Sequence, residues 1–115
     1  MTEVCIKTPI VDIAKNVLDI EANAILELKQ KLNETFEDVC QHILQCQGRL
    51  IVIGMGKSGH IGKKIAATLA STGTPAFFVH PSEASHGDMG MITANDVTLI
   101  ISNSGETPEV IALLP

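Results

Sequence analysis

The sequence predicts an α/β domain: a parallel sheet with helices on both faces, in a three-layer α-β-α arrangement, preceded by two N-terminal helices. Three observations carry this. After Gly48, short continuous apolar runs alternate with helical segments; those runs lack the polar alternation of half-exposed strands; and a glycine-rich turn follows the first of them. Continuous apolar strands separated by helices imply a sheet covered on both sides.

Each element follows from local pattern. Ile10, Ile13, Val17, Ile20, Ala24, Ile25, Leu28 and Leu32 recur at helical spacing, with Pro9 just inside the start, so one amphipathic helix is expected from Ile10 to Leu32. Asn33 offers an N-cap to a second helix whose apolar face is Phe36, Val39, Cys40, Ile43 and Leu44 and which Gly48 terminates. His42 lies off that face and reads as a surface residue. "RLIVIG", "PAFFVH" and "DVTLIIS" are the strands, "HIGKKIAATLASTG" and "TPEVIALLP" the helices, and "PSEASHGDMGMITAND" holds a short helix and a turn, with Glu83 and Asp88 as cap and turn residues. The pair of helices over 1–48 and the alternating portion over 49–115 read as parts of one domain.

Composition narrows the function classes. The chain has 115 residues, 45% of them hydrophobic and 18% charged, which suits one small domain with its own core. A net charge of −5 without a basic run argues against nucleic acid or an anionic membrane as partner, since both need clustered Lys and Arg. No apolar run is long enough for a bilayer, and "MTEVCIKTP" lacks the features of a signal peptide, so a cytoplasmic protein is expected. Cys5, Cys40 and Cys46 form no C-x-x-C and read as unpaired thiols.

"LIVIGMGKSGHIG" superposes two nucleotide-binding patterns. A P-loop needs glycine four residues before its Gly-Lys-Ser, where this chain has Ile51. Gly54, Gly56 and Gly59 do satisfy G-x-G-x-x-G between a strand and a helix, but His80 and Pro81 stand where a dinucleotide fold places its ribose-binding acid. What survives is a turn whose backbone amides approach a ligand at a helix N-terminus, where an anion is favoured. A second polar turn, "SNSGETPE", carries Ser102, Ser104, Thr107, Gly105 and Pro108. It reads either as an ordinary helix cap or as a phosphate cradle. With strand order 2-1-3, the two turns converge at the switch point where open α/β sheets bind ligands.

"GMGKSGHIG", "STGTPAFFVHPSEASHGDMGM" and "ISNSGETPE" resemble the sugar isomerase, or SIS, domain of bacterial D-arabinose 5-phosphate isomerases, over essentially the whole chain. The resemblance implies a flavodoxin-like SIS fold and the interconversion of D-ribulose 5-phosphate and D-arabinose 5-phosphate, on the route to Kdo and lipopolysaccharide. It implies catalytic roles for Lys57 and Glu109 and substrate contacts at Gly73, Thr74, His80 and His86. A phosphate cradle at Ser102, Ser104 and Thr107 follows as well, with Ser58 placed among the substrate contacts. It also implies an inhibitory zinc at His80, and no cofactor. Pairing through helices makes a homodimer or homotetramer the expected assembly. The resembling enzymes continue beyond Pro115 with further strands, a later Glu and a later His, so the sequence reads as the N-terminal part of a SIS domain. Taken alone it is expected to bind phosphate but to isomerise at least ~10²-fold more slowly than an extended chain.

Chemistry independent of the resemblance asks for the same residue types. Moving a proton between the carbons of an enediol needs a base, a donor for the enediolate oxygen and an anchor for phosphate. Lys57 suits the second role. Glu109 is either a proton shuttle or a residue that complements a helix dipole. A non-catalytic module that binds a phosphosugar and regulates a partner is the competing reading, and it would need only the hydroxyl cradle.

Overall fold

The computed structural model describes residues 9–85 and 87–114. Cys5 and His86 therefore lie outside the described residues. The chain divides into two compact units, one up to Asp38 and one from Val39.

In the first unit, α1 spans Ile10–Glu27 and continues as a 3₁₀ turn over Leu28–Gln30. The single helix expected to reach Leu32 thus tightens in its last turn, where Lys31 and Leu32 both donate to the Leu28 carbonyl. Terminal carbonyls without an i+4 partner commonly close this way. Pro9 is the N-cap, one position earlier than expected: its carbonyl accepts from Ile13 N at 3.1 Å, a role needing no N–H of its own. No residue of α1 is buried, and Ile13, Val17, Ile20 and Ile25 are all exposed. Helix α2, Glu34–Leu44, starts where the Asn33 side chain predicts it, with Thr35 N donating to Asn33 Oδ1 at 3.0 Å.

The second unit holds the sheet. β1 (Leu50–Gly54), β2 (Ala76–Val79) and β3 (Val97–Ile101) are parallel in the order β2-β1-β3. The central strand is buried on both faces. Ile51 and Ile53 pack with Val79 and Ala84, while Leu50 and Val52 pack with Ala66, so its alternate side chains feed two apolar layers. Helix α3, Gly56–Ser71, covers the second layer; α4, Pro81–Ser85, and α5, Pro108–Ile111, lie on the chain's later connections.

Helix α3 begins at Gly56, four residues earlier than the apolar pattern suggests. Two glycines make this possible. A Cβ on Gly54 would stand 2.9 Å from the Ser58 carbonyl oxygen, and one on Gly59 would stand 2.9 Å from the Gly54 carbonyl oxygen, so strand end and helix start approach too closely for side chains. The helix closes at Gly73, whose φ of 103° lets Thr74 N reach back to the Leu69 carbonyl at 2.9 Å, a Schellman-type ending.

The amino ends of β1 and β3 are tied by one carboxylate. Asp96 Oδ1 accepts from Arg49 N at 2.7 Å, and Oδ2 accepts from Thr93 N at 2.8 Å and Thr93 Oγ1 at 3.1 Å. The Thr93 and Arg49 amides favour the ionised form and hold the Asp96 carboxyl below its usual range. Gly48 N and Cys46 Sγ both donate to the Asn95 carbonyl beside it.

Candidate functional site

The carboxyl edge of the sheet differs in kind. Gly54 of β1 and Ile101 of β3 are register partners, so the turns that leave them start side by side. The first turn passes through Met55 in extended conformation and Gly56 at φ 57° into α3. Met55 gives α3 no side-chain cap, and the first amide bonded within the turn is Gly59 N, to the Met55 carbonyl at 3.2 Å. The amides of Gly56, Lys57 and Ser58 thus have no intrahelical acceptor, at the end of a 16-residue helix where the dipole favours an anion. Lys57 is exposed and Ser58 half-buried.

The second turn is ordered by its own hydroxyls. Ser102 Oγ and Thr107 Oγ1 are 2.9 Å apart, Gly105 N donates to Ser102 Oγ at 3.0 Å, and Glu106 N donates to Ser104 Oγ at 3.0 Å. Gly105 takes φ 70°, the left-handed conformation this turn requires. Ser102 and Thr107 share one proton between them, which leaves the other to donate outward, and Ser104, accepting from the backbone, keeps its own proton for a ligand. Pro108 occupies the first helical position as expected, Thr107 is the N-cap, and Glu109 sits exposed in the first turn of α5.

His80 follows β2 at the same edge. Its Nδ1 accepts from Ser82 N at 3.1 Å and lies 2.8 Å from Ser82 Oγ, so the imidazole caps α4, the role the sequence suggested for a carboxylate. The other ring nitrogen remains for a ligand. Beside it is a cleft of about 170 Å³ lined by Gly56, Gly59, His60, Lys63, Phe78 and His80. Neither His60 nor Lys63 drew notice in the sequence. Their signal was the spacing from Gly56, which places all three on one face of α3. Among the described residues no three His, Cys, Asp or Glu side chains gather to hold a metal ion, so no three-ligand zinc set is described around His80.

Gly73 and Thr74 are not brought to this edge. They precede β2 at the amino ends of the strands, where with Ile43, Leu44, Cys46, Gly48, Leu50 and Pro75 they line a hollow of about 220 Å³. The length of β1, about 13 Å, separates them from the turns at Gly56 and Ser102. Their evident work is to end α3.

These features set an uncapped helix start and a hydroxyl turn side by side at the switch point of a parallel sheet. A family model for the SIS domain matches residues 43–115, and the chain belongs to the SIS domain family. It is similar to the arabinose 5-phosphate isomerase KdsD of Yersinia pestis, 61% identical over 101 residues, 88% of this chain and 31% of that protein. The KdsD of Pseudomonas aeruginosa is 58% identical over 102 residues, again 31% of its length. The chain thus spans about a third of the curated relatives it matches. Among solved structures, E. coli CFT073 c3406 in complex with arabinose 5-phosphate superposes with a TM-score of 0.83 at 44% identity, covering 94% of this chain and 59% of that one. The three-stranded parallel sheet is therefore the SIS-type fold, incomplete relative to that neighbour. No described helix is long and apolar enough to cross a membrane.

Proposed function

We propose that the carboxyl edge of the sheet binds a pentose 5-phosphate and serves the interconversion of D-arabinose 5-phosphate and D-ribulose 5-phosphate. One observation carries the reading: the register pair Gly54 and Ile101 sets an uncapped helix start beside a hydroxyl turn with protons to donate. The phosphate sits between the amides of Lys57 and Ser58 and the hydroxyls of Ser102, Ser104 and Thr107. The sugar-phosphate complex of the structural neighbour and the KdsD relatives support this substrate class.

The remaining roles follow from the chemistry. Isomerisation takes the proton from C2 of the aldose, passes through an enediol and returns a proton to C1. The Lys57 ammonium stabilises the oxygen on which charge develops, and Glu109 moves a proton or orients a hydroxyl. His80 and His86 contact the sugar. Gly73 and Thr74 would meet a substrate only if it were held by another copy of the chain. A homodimer or homotetramer is proposed on the exposed apolar stripe of α1. Sedimentation through the micromolar range checks it, and a monomer throughout would contradict it.

Calorimetry tests the site. Inorganic phosphate and D-arabinose 5-phosphate should both bind, the sugar phosphate more tightly; tight nicotinamide-dinucleotide binding with no response to pentose phosphates would overturn the assignment. In the active protein, Lys57→Ala should lower turnover far more than affinity.

A further inference from the structure

A cleft lies between α3 and the end of β2, beside the turns proposed to hold the phosphate. Gly56, His60 and Lys63 form one wall, and Phe78 and His80 the other. Lys63 Nζ lies 5.5 Å from the centre of the Phe78 ring, within cation–π range, so the ammonium is held at the cleft rather than left to roam. In a chain of net charge −5, no Asp or Glu occurs between Asp38 and Glu83, and the cleft accordingly gathers an ammonium and two imidazoles with no carboxylate in its lining. Packing does not demand these side chains, because His60 and Lys63 are both exposed.

Topology gives the cleft its place. β1 is central, the hydroxyl turn leaves β3 on one side, and the cleft opens beside β2 on the other. Neighbouring strands are about 4.8 Å apart, so the two features are roughly 10 Å apart across the edge. An extended five-carbon sugar phosphate bridges such a span. With its phosphate at Ser102–Thr107, its carbon chain passes the Lys57 turn and its unphosphorylated end reaches the cleft.

We propose that His60, assisted by Lys63, is a specificity residue that binds the hydroxyl- and carbonyl-bearing end of the sugar. The inference rests on the pentose-phosphate reading above. An imidazole both donates and accepts, which suits a polyol end, and the Lys63 ammonium adds donors to oxygen but no acceptor. A second phosphate-sized anchor is not what the cleft supplies, since it shares only Gly56 with the uncapped helix start and lacks the hydroxyl pair of the β3 turn.

Calorimetry with two probes on the whole chain separates the possibilities. For His60→Ala, the affinity for D-arabinose 5-phosphate should fall about 5- to 10-fold, as for loss of one hydrogen bond, while inorganic phosphate binds as before. His60→Asn should recover part of the loss, and an unchanged denaturation midpoint should accompany both variants. Ser104→Ala should weaken both probes. If His60→Ala and Lys63→Met each bind the sugar phosphate as the parent does, the inference is wrong while the phosphate site stands. Equal weakening of both probes would place His60 in the phosphate anchor and overturn it too. If the parent binds neither probe, the pentose-phosphate reading fails and takes this inference with it.

Discussion

The two ends of one sheet are built to opposite purposes. At the amino ends, polar groups are spent on each other: Asp96 takes the Arg49 and Thr93 amides, and Gly48 and Cys46 share the Asn95 carbonyl. At the carboxyl ends, three helix-start amides lack intrahelical acceptors, and hydroxyls that order their own turn still have protons to give. The lesson is that polar side chains count as site candidates according to what their hydrogen bonds leave over. Thr93 and Ser104 both hold turns, but only Ser104 does so purely as an acceptor in the described bonds.

Breaking the amino end should cost stability and spare binding. Gly48→Ala is expected to have the largest effect, because the new Cβ would meet the Asp96 carboxylate and stand 2.8 Å from the Asn95 carbonyl oxygen. Overpacking against backbone typically costs about 1–3 kcal/mol. Denaturant titration should show that loss, with phosphate affinity of the folded protein unchanged.

Breaking the carboxyl end should do the reverse. Ser104→Ala removes an exposed hydroxyl proposed as a donor to phosphate, so affinity for phosphate should fall about 10-fold, with stability within about 0.5 kcal/mol of the parent. A large stability loss with intact binding would erase the distinction between the two ends.

The smallest effect is a pH dependence. The folded-state pKa of Asp96 is depressed, so its stabilisation is present above the unfolded carboxyl pKa and is lost as pH falls through the folded value. Asp96→Asn should therefore be less stable than the parent near neutrality, and the two stability curves should draw together in acid. Parallel curves down to the lowest accessible pH would contradict the carboxylate's role.

Much of this contrast was legible in the chain, and the rest was hidden for physical reasons. The three apolar runs gave the parallel sheet, and Asn33 and Pro108 gave their helix starts, because these signals are local. G-x-G-x-x-G was legible as a turn, yet the structure shows that Gly54 and Gly59 serve helix-strand contact as well as any ligand. Gly73 and Thr74 are candidates by family resemblance alone, and strand direction places them, as residues before β2, at the edge opposite the two turns. His60 and Lys63 went unnoticed because their meeting with His80 depends on how α3 lies over Phe78, a tertiary fact without a local pattern. The Asp96 carboxylate has no local signal for the same reason, since its partner Arg49 is 47 positions away.

The most direct test follows backbone amide resonances of the whole chain while inorganic phosphate is added. The structure predicts saturable shifts at Lys57, Ser58, Ser104 and Gly105, with Gly48, Gly73 and Thr74 unmoved. Shifts confined to the amino-end hollow at Gly48, Gly73 and Thr74, or no saturable shift anywhere, would contradict the assignment of the carboxyl edge as the phosphate site.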